Sequence, residues 1–253
     1  HNLRRAFPEK TLEELFGIVR GVYRNLGTVA AEFFDIPRMT RDNIGQWVEA
    51  EGLENCFKAL EKGRGVLLFG AHFGNWELEA VAASLMIKPF TVIYRTLDSA
   101  LLDRLVFTVR SATGNVPLAK EHAMRTMLRT LKQSGMLGIL IDQNVDWYEG
   151  VFVDFFGRPA CTTDGLALLA LHTEAPVLPG YMVRLPGGRY RLVIGPEVEI
   201  VRTGDKTADV LVNTRRFTQV IEETVRRYPD QWLWIHQRWK TKRCQIPARS
   251  EVE

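Results

Sequence analysis

Two side chains in the stretch GAHFGNWE, His72 and Glu77, are of the types that move protons, and the step between them constrains how they do it. On one continuous helix, five residues at about 100° each place them roughly 140° apart, so they share no face. Nor is this HExxH, in which two histidines four apart bind zinc. The pair makes chemical sense if the backbone bends between them. Gly74 permits unusual dihedrals, and Asn75 is a good helix N-cap. His72 then stands at the carboxyl end of a strand, in the crevice where open α/β sheets bind ligands, and Glu77 reaches back to it from the first helical turn. An imidazole with an ordinary pKa of about 6.5 takes a proton from a hydroxyl at neutral pH. A carboxylate behind it fixes the tautomer and stabilises the imidazolium. No GxSxG elbow occurs and no cysteine is adjacent, so the hydroxyl is expected to belong to the substrate. That chemistry is direct acyl transfer to an alcohol. Spacing alone is weak evidence, and by itself favours a plainer reading, a buried histidine satisfied by a capping glutamate.

The elements that must position these groups are legible as changes of period. Helical steps of three and four run through residues 11–34, with a second helix over 53–62. From GVLLFG (65–70) onward, short apolar runs at 90–94, 116–119 and 136–141 alternate with helical patterns at 77–86, 101–112 and 122–133. Such alternation predicts an α/β domain with a mainly parallel central sheet flanked by helices. A helix after Gly165, a hairpin of 177–184 with 190–194 through PGG, and a long helix over 208–227 complete the mixed sheet domain. QWLWIHQRW closes it. The chain reads as one domain, an N-terminal helical segment (1–48) on a catalytic α/β core (49–253).

With 253 residues and a net charge of +3, a sizeable core is possible and no global field demands nucleic acid. Cys56, Cys161 and Cys244 are odd in number and unclustered, so neither a disulfide framework nor a structural zinc site is expected. No apolar run approaches the roughly 18 residues that span a bilayer. The chain begins at His1 without a methionine, and an upstream anchor is expected to be missing from it.

Beyond the spacing, H-x4-E within GAHFGNWE resembles the signature of the lipid A biosynthesis acyltransferases, the late lauroyl and myristoyl transferases of the H-x4-D/E glycerolipid acyltransferase group. NLRRAFPEKT, VIYRTLDS, LIDQN, GVFVDFFGRPACTT and PDQWLWIHQRWK resemble further blocks of that family in the same order. The resemblance implies an O-acyltransferase that moves a fatty acyl chain from acyl carrier protein to a hydroxyl of a lipid A precursor. It implies His72 as general base with Glu77 in support, no cofactor, and a place at the cytoplasmic face of the bacterial inner membrane. Thr96 and Asp154 stand where the family commonly has proline. These departures bear on acyl length and acceptor choice more than on the reaction.

Arg95 and Arg110 are candidates for an anionic group, since a guanidinium fork makes two parallel bonds to phosphate. The resemblance places an arginine at about the position of Arg110, in acceptor binding or catalysis. Each has an ordinary alternative, a solvated surface arginine. Asp142 ends the apolar strand MLGILI, where polar residues face the crevice, or else caps a turn. Asn75 joins the binding candidates, with Gln143 and Asn144 weaker; Glu79, one step further round the helix than Glu77, is expected to matter little. GVFVDFFG and the LALLALH helix line either an acyl-chain tunnel or ordinary core. His236 sits among Trp232, Trp234 and Trp239, with Arg238, Lys240, Lys242 and Arg243 close by. Tryptophan interleaved with base suits nucleic acid or a lipid headgroup zone, and with no nucleic-acid motif elsewhere an anionic membrane surface is the expected partner. Competing readings keep the chemistry on another glycolipid or lysophospholipid, with acyl-CoA as a possible donor. Others make the chain an inactive lipid-binding protein, or a metal-dependent hydrolase that lacks an obvious third ligand.

Overall fold

The computed structural model describes residues 1–121 and 123–243; His122 and Cys244, named above, lie outside the described residues. Two helices open the chain, α1 (Asn2–Ala6) and α2 (Leu12–Glu32). Thr11 and Glu14 form a reciprocal capping box that starts α2. Strand β1 (Val48–Glu51) and helix α3 (Leu53–Glu61) follow. Then come β2 (Val66–Gly70), α4 (Trp76–Met86), β3 (Thr91–Tyr94), α5 (Ala100–Ser111), β4 (Val116–Ala119), α6 (Met124–Lys132) and β5 (Met136–Leu140). A two-stranded excursion, β6 (Gly150–Phe155) with β7 (Arg158–Thr163), precedes α7 (Gly165–Thr173). The chain returns through β8 (Val177–Arg184) and β9 (Tyr190–Ile194) to the long helix α8 (Lys206–Arg227).

The seven-stranded sheet has the order β1-β9-β8-β2-β5-β3-β4. Five neighbours, β8 through β4, run parallel; β9 turns back antiparallel to β8, and β1 lies parallel to β9. This is the mixed, mainly parallel sheet that the alternating pattern predicts. Strand β2 is buried along its whole length because it is covered on both faces. Leu67 and Phe69 point into one core, with α7, α8 and the first two helices; Val66 and Leu68 point into the other, with α3, α4 and α5. Each such side chain contributes about 1.5–3 kcal/mol by leaving water.

Three features went unread in the sequence. The edge strand β1 takes in Val48, so the division drawn at 48/49 falls inside an element. Helix α1 sends Leu3 and Ala6 into the same core as the sheet. The stretch GVFVDFFG is half of a hairpin, turned by Phe156 and Gly157 at positive φ, with Val153, Phe155 and Phe156 buried.

Candidate functional site

Strands β2 and β5 are neighbours in register, Gly70 opposite Leu140. Two residues beyond those positions stand His72 and Asp142, so adjacent parallel strands deliver both to one sheet edge. His72 Nδ1 lies 2.8 Å from Asp142 Oδ1, and the His72 backbone N–H donates to Asp142 Oδ2 at 3.0 Å. The Trp232 indole N–H donates to the same Oδ2 at 2.8 Å. Asp142 is 3 % exposed. Burial favours its neutral form, but His72 and the two N–H donors outweigh it and hold the carboxyl below its ordinary value. For His72 the balance is similar. Burial opposes the imidazolium, and Asp142 together with Glu77 more than offsets it, so its pKa lies above 6.5.

The carboxylate on His72 Nδ1 is therefore Asp142, and this corrects the expectation that Glu77 reaches back to the imidazole. Glu77 is held elsewhere. Arg110 Nε and Nη2 donate to its two oxygens at 2.8 and 2.6 Å, and the Trp76 indole N–H donates at 3.0 Å. The guanidinium fork of Arg110, expected to face a phosphate, closes on Glu77. The charge of Glu77 still favours the imidazolium of His72, and the Trp76 ring that donates to Glu77 packs edge-on to His72 with centroids 5.5 Å apart.

The bend between the two groups has a plain cause. Gly74 has φ of +57°, and a Cβ there would stand 1.6 Å from the Met182 carbonyl oxygen. Its N–H donates to Gln231 O, and Leu233 N–H donates to His72 O, so the C-terminal segment clamps the turn. Asn75 caps α4 by accepting from Leu78 N–H, donates to Glu32, and is 1 % exposed. This side chain serves the turn, and Asn75 is not among the residues that line the cavity beside His72. Arg95, at the end of β3, is well exposed on the cavity rim, 3.8 Å from Asp98.

A cavity of about 1300 Å³ opens above His72. It extends over both faces of the sheet, past Leu68, Ala80 and Phe90 toward α4 and past Leu166, Leu169 and Met127 toward α7. The LALLALH helix thus does line it, whereas Phe155 and Phe156 of GVFVDFFG pack as core against Trp232, Trp234 and Trp239. Those tryptophans are buried too, as is Arg238, so most of the aromatic carboxyl end is interior and only part of it faces outward. The cavity wall holds no serine or cysteine among the described residues. No group of three or more His, Cys, Asp or Glu among them stands together as metal ligands.

Three wall residues carried little weight in the sequence. Gln143 Nε2 lies 3.4 Å from His72 Nε2. His236 faces the same space with its Nδ1 buried and unpartnered, and burial lowers its pKa. Glu79 lies between Gly70 and Gly180, where a Cβ on either glycine would come within 3.4 Å of its Oε1. Its Oε2 has no partner, and burial pushes the carboxyl up to about 8. Two strand glycines at one height were the available signal, since glycine within a strand marks a close approach.

Residues 1–241 match the family model described as bacterial lipid A biosynthesis acyltransferase. The chain is similar to the lipid A biosynthesis palmitoleoyltransferase of Escherichia coli (strain K12), 28% identical over 243 residues, 95% of this chain and 77% of that protein. It is also similar to the lipid A biosynthesis lauroyltransferase of that strain, 28% identical over 251 residues, 98% and 80% of the two chains. The phosphatidylinositol mannoside acyltransferase of Mycolicibacterium smegmatis is 24% identical over 242 residues, 94% and 77% of the two.

Proposed function

Because the chain belongs to the bacterial lipid A biosynthesis acyltransferases, we propose that this acyltransferase moves a fatty acyl chain from acyl carrier protein to a hydroxyl of a lipid A precursor, with His72 as the base. One observation carries the mechanism: His72 is gripped at Nδ1 by a buried carboxylate while its Nε2 edge faces the cavity beside Gln143. Asp142 keeps the Nδ1 proton in place, which leaves the Nε2 lone pair for a substrate hydroxyl. As Nε2 takes that proton, the alcohol oxygen attacks the thioester carbonyl carbon. The tetrahedral intermediate then collapses, the C–S bond breaks, and the imidazolium returns the proton to the departing thiolate. No acyl-enzyme forms and no cofactor is needed, since the thioester itself supplies the driving force. Trp76 and the Glu77–Arg110 pair form the adjoining wall, and the charge of Glu77 favours the imidazolium as it develops. The apolar parts of the cavity take the acyl chain, and the reaction runs at the cytoplasmic face of the inner membrane, where the acceptor lies.

The similarity to the phosphatidylinositol mannoside acyltransferase of Mycolicibacterium smegmatis supports a second reading, the same chemistry on another glycolipid. The test is to incubate the enzyme with acyl carrier proteins bearing different chains and with tetra- or penta-acylated lipid A precursors, and to read products by mass spectrometry. The reading requires a product heavier by one acyl chain, and His72→Ala must lower its formation by at least roughly 10²- to 10⁴-fold with folding intact. Near-normal turnover in the folded variant would remove His72 from the mechanism, and no product with any lipid A precursor would turn attention to other glycolipids.

A further inference from the structure

Helix α6 carries three cations on one flank. Arg125, Arg129 and Lys132 are exposed and follow at steps of four and three. At about 100° and 1.5 Å per residue they fall within an arc of roughly 60° and a rise of about 10 Å. None of their side chains makes an ion pair or hydrogen bond within the described residues, and no acidic residue lies in the helix. The stripe adjoins the site, because Met124 and Met127 of the same helix line the cavity that holds His72.

The opposite flank of that cavity is different in kind. Helix α5 lines it through Val106 and Arg110, but packs on the other face of the sheet, with Val109 in the core of Val66 and Leu68. Leu131 of α6 belongs to the core of Leu67 and Phe69. Outward, α5 shows Leu101, Leu102 and Leu105, the first of them 79 % exposed. Beside one opening thus stand the exposed leucines of α5 on one side of the sheet and the cationic flank of α6 on the other.

We propose that Arg125, Arg129 and Lys132 are the docking face for an acidic carrier protein, which delivers its acyl thioester into the cavity past Met124 and Met127. The inference rests on the reading that the donor is carrier-bound. Charge complementarity argues for it: a two-turn stripe of unpaired cations matches a partner helix with carboxylates at helical spacing, and such charges chiefly speed and orient encounter. A bilayer is the poorer occupant. Interfacial helices place large apolar side chains opposite their cations, and α6 buries its leucines inward, with Met124 alone exposed. The lipid-like rim is α5, so a soluble donor has α6 left to approach.

The test is the charge reversal Arg125→Glu with Arg129→Glu and Lys132→Glu, all at exposed positions. The expected result is that KM for acyl carrier protein, and the Kd for holo-carrier by anisotropy, rise roughly tenfold or more at low salt, with their salt dependence flattened and kcat little changed. Turnover of acyl-pantetheine, the same thioester arm without the protein, should stay at the wild-type rate. An unchanged carrier KM and Kd overturns the docking face and leaves the carrier reading standing. Equal losses with acyl-pantetheine overturn it in favour of damage to the site. Lost binding to phosphatidylglycerol vesicles at unchanged carrier Kd overturns it in favour of a membrane face. A wild-type enzyme that uses acyl-CoA and never acyl carrier protein sinks the carrier reading, and the docking face with it.

Discussion

Replacing Asp142 by asparagine changes one atom and tests the whole arrangement around His72. Oδ2 accepts two N–H donors, from the His72 backbone and the Trp232 indole, while Oδ1 faces His72 Nδ1. An amide in that position turns its oxygen toward the two donors, because an NH₂ there would leave three donors facing one another without an acceptor. Its NH₂ then points at Nδ1, which must accept, so the imidazole proton moves to Nε2. The base has lost its lone pair on the cavity side. In triads of this logic the change costs about 10⁴ in kcat, on the order of 5 kcal/mol at 1.36 kcal/mol per tenfold. A second signature separates this from general damage. The base must be neutral, and its pKa is held above 6.5, so wild-type activity is lost as pH falls through a value above 6.5. Without the carboxylate that acid limb should move to lower pH. The assay is single-turnover transfer from acyl carrier protein, read by mass spectrometry from pH 5 to 9, beside a thermal melt. A folded Asp142→Asn enzyme within about threefold of wild type, with its acid limb unmoved, would refute the reasoning. If Glu77→Gln alone collapsed the rate, Glu77 would be the operative carboxylate after all.

Three further outcomes are expected. Glu77→Gln and Arg110→Lys should each lower activity, and the double variant should lose much less than the two combined, with a coupling of about 0.5–3 kcal/mol in a double-mutant cycle; additivity would mean that the fork in the structure does not operate in turnover. Glu79 keeps its proton up to about 8 when folded and releases it near 4.5 when unfolded. Its contribution to stability is full below 4.5 and lost as pH rises through about 8, by roughly 1.4 kcal/mol per unit of displacement, so melts of Glu79→Gln should lack that decline; parallel pH profiles of the two proteins would show that the carboxyl is not buried in solution. The enzyme should bind anionic liposomes, lose them at high salt, and bind less well once Lys240, Lys242 and Arg243 are neutralised together, whereas salt-independent sedimentation would assign the contact to apolar surface such as Leu12, Phe16 and Tyr23 on α2.

The parallel sheet was legible because its strands are covered on both faces, and so stand out as short continuous apolar runs between helical patterns. Leu67–Phe69 and Met136–Ile139 are of this kind. Local signals also marked the turn at Gly74 and Asn75, since glycine and an N-cap residue act through backbone that is close in sequence. The carboxylate on His72 was not legible. Asp142 is 70 residues away, and only the register of β2 against β5 brings it level with the imidazole. Glu77 is nearer in sequence, but α4 turns it toward Arg110 on α5, and spacing contains no information about that helix's direction. Trp232 illustrates the same limit: among tryptophans and cations it reads as a surface residue, yet its indole N–H is needed inside by a carboxylate on another element.

The turn at Gly74 also has diagnostic use for sequences of this kind. With the Met182 carbonyl 1.6 Å from where a Cβ would be, even alanine is excluded unless the β8 backbone moves away. A chain that keeps the histidine and the glutamate but bears a side chain two places after the histidine must leave its strand by a different path. Such a chain would preserve the pattern of letters and lose the geometry behind it. Screening sequence collections for the glycine along with H-x4-E would therefore select chains that can keep this turn, which the two ionisable residues on their own do not.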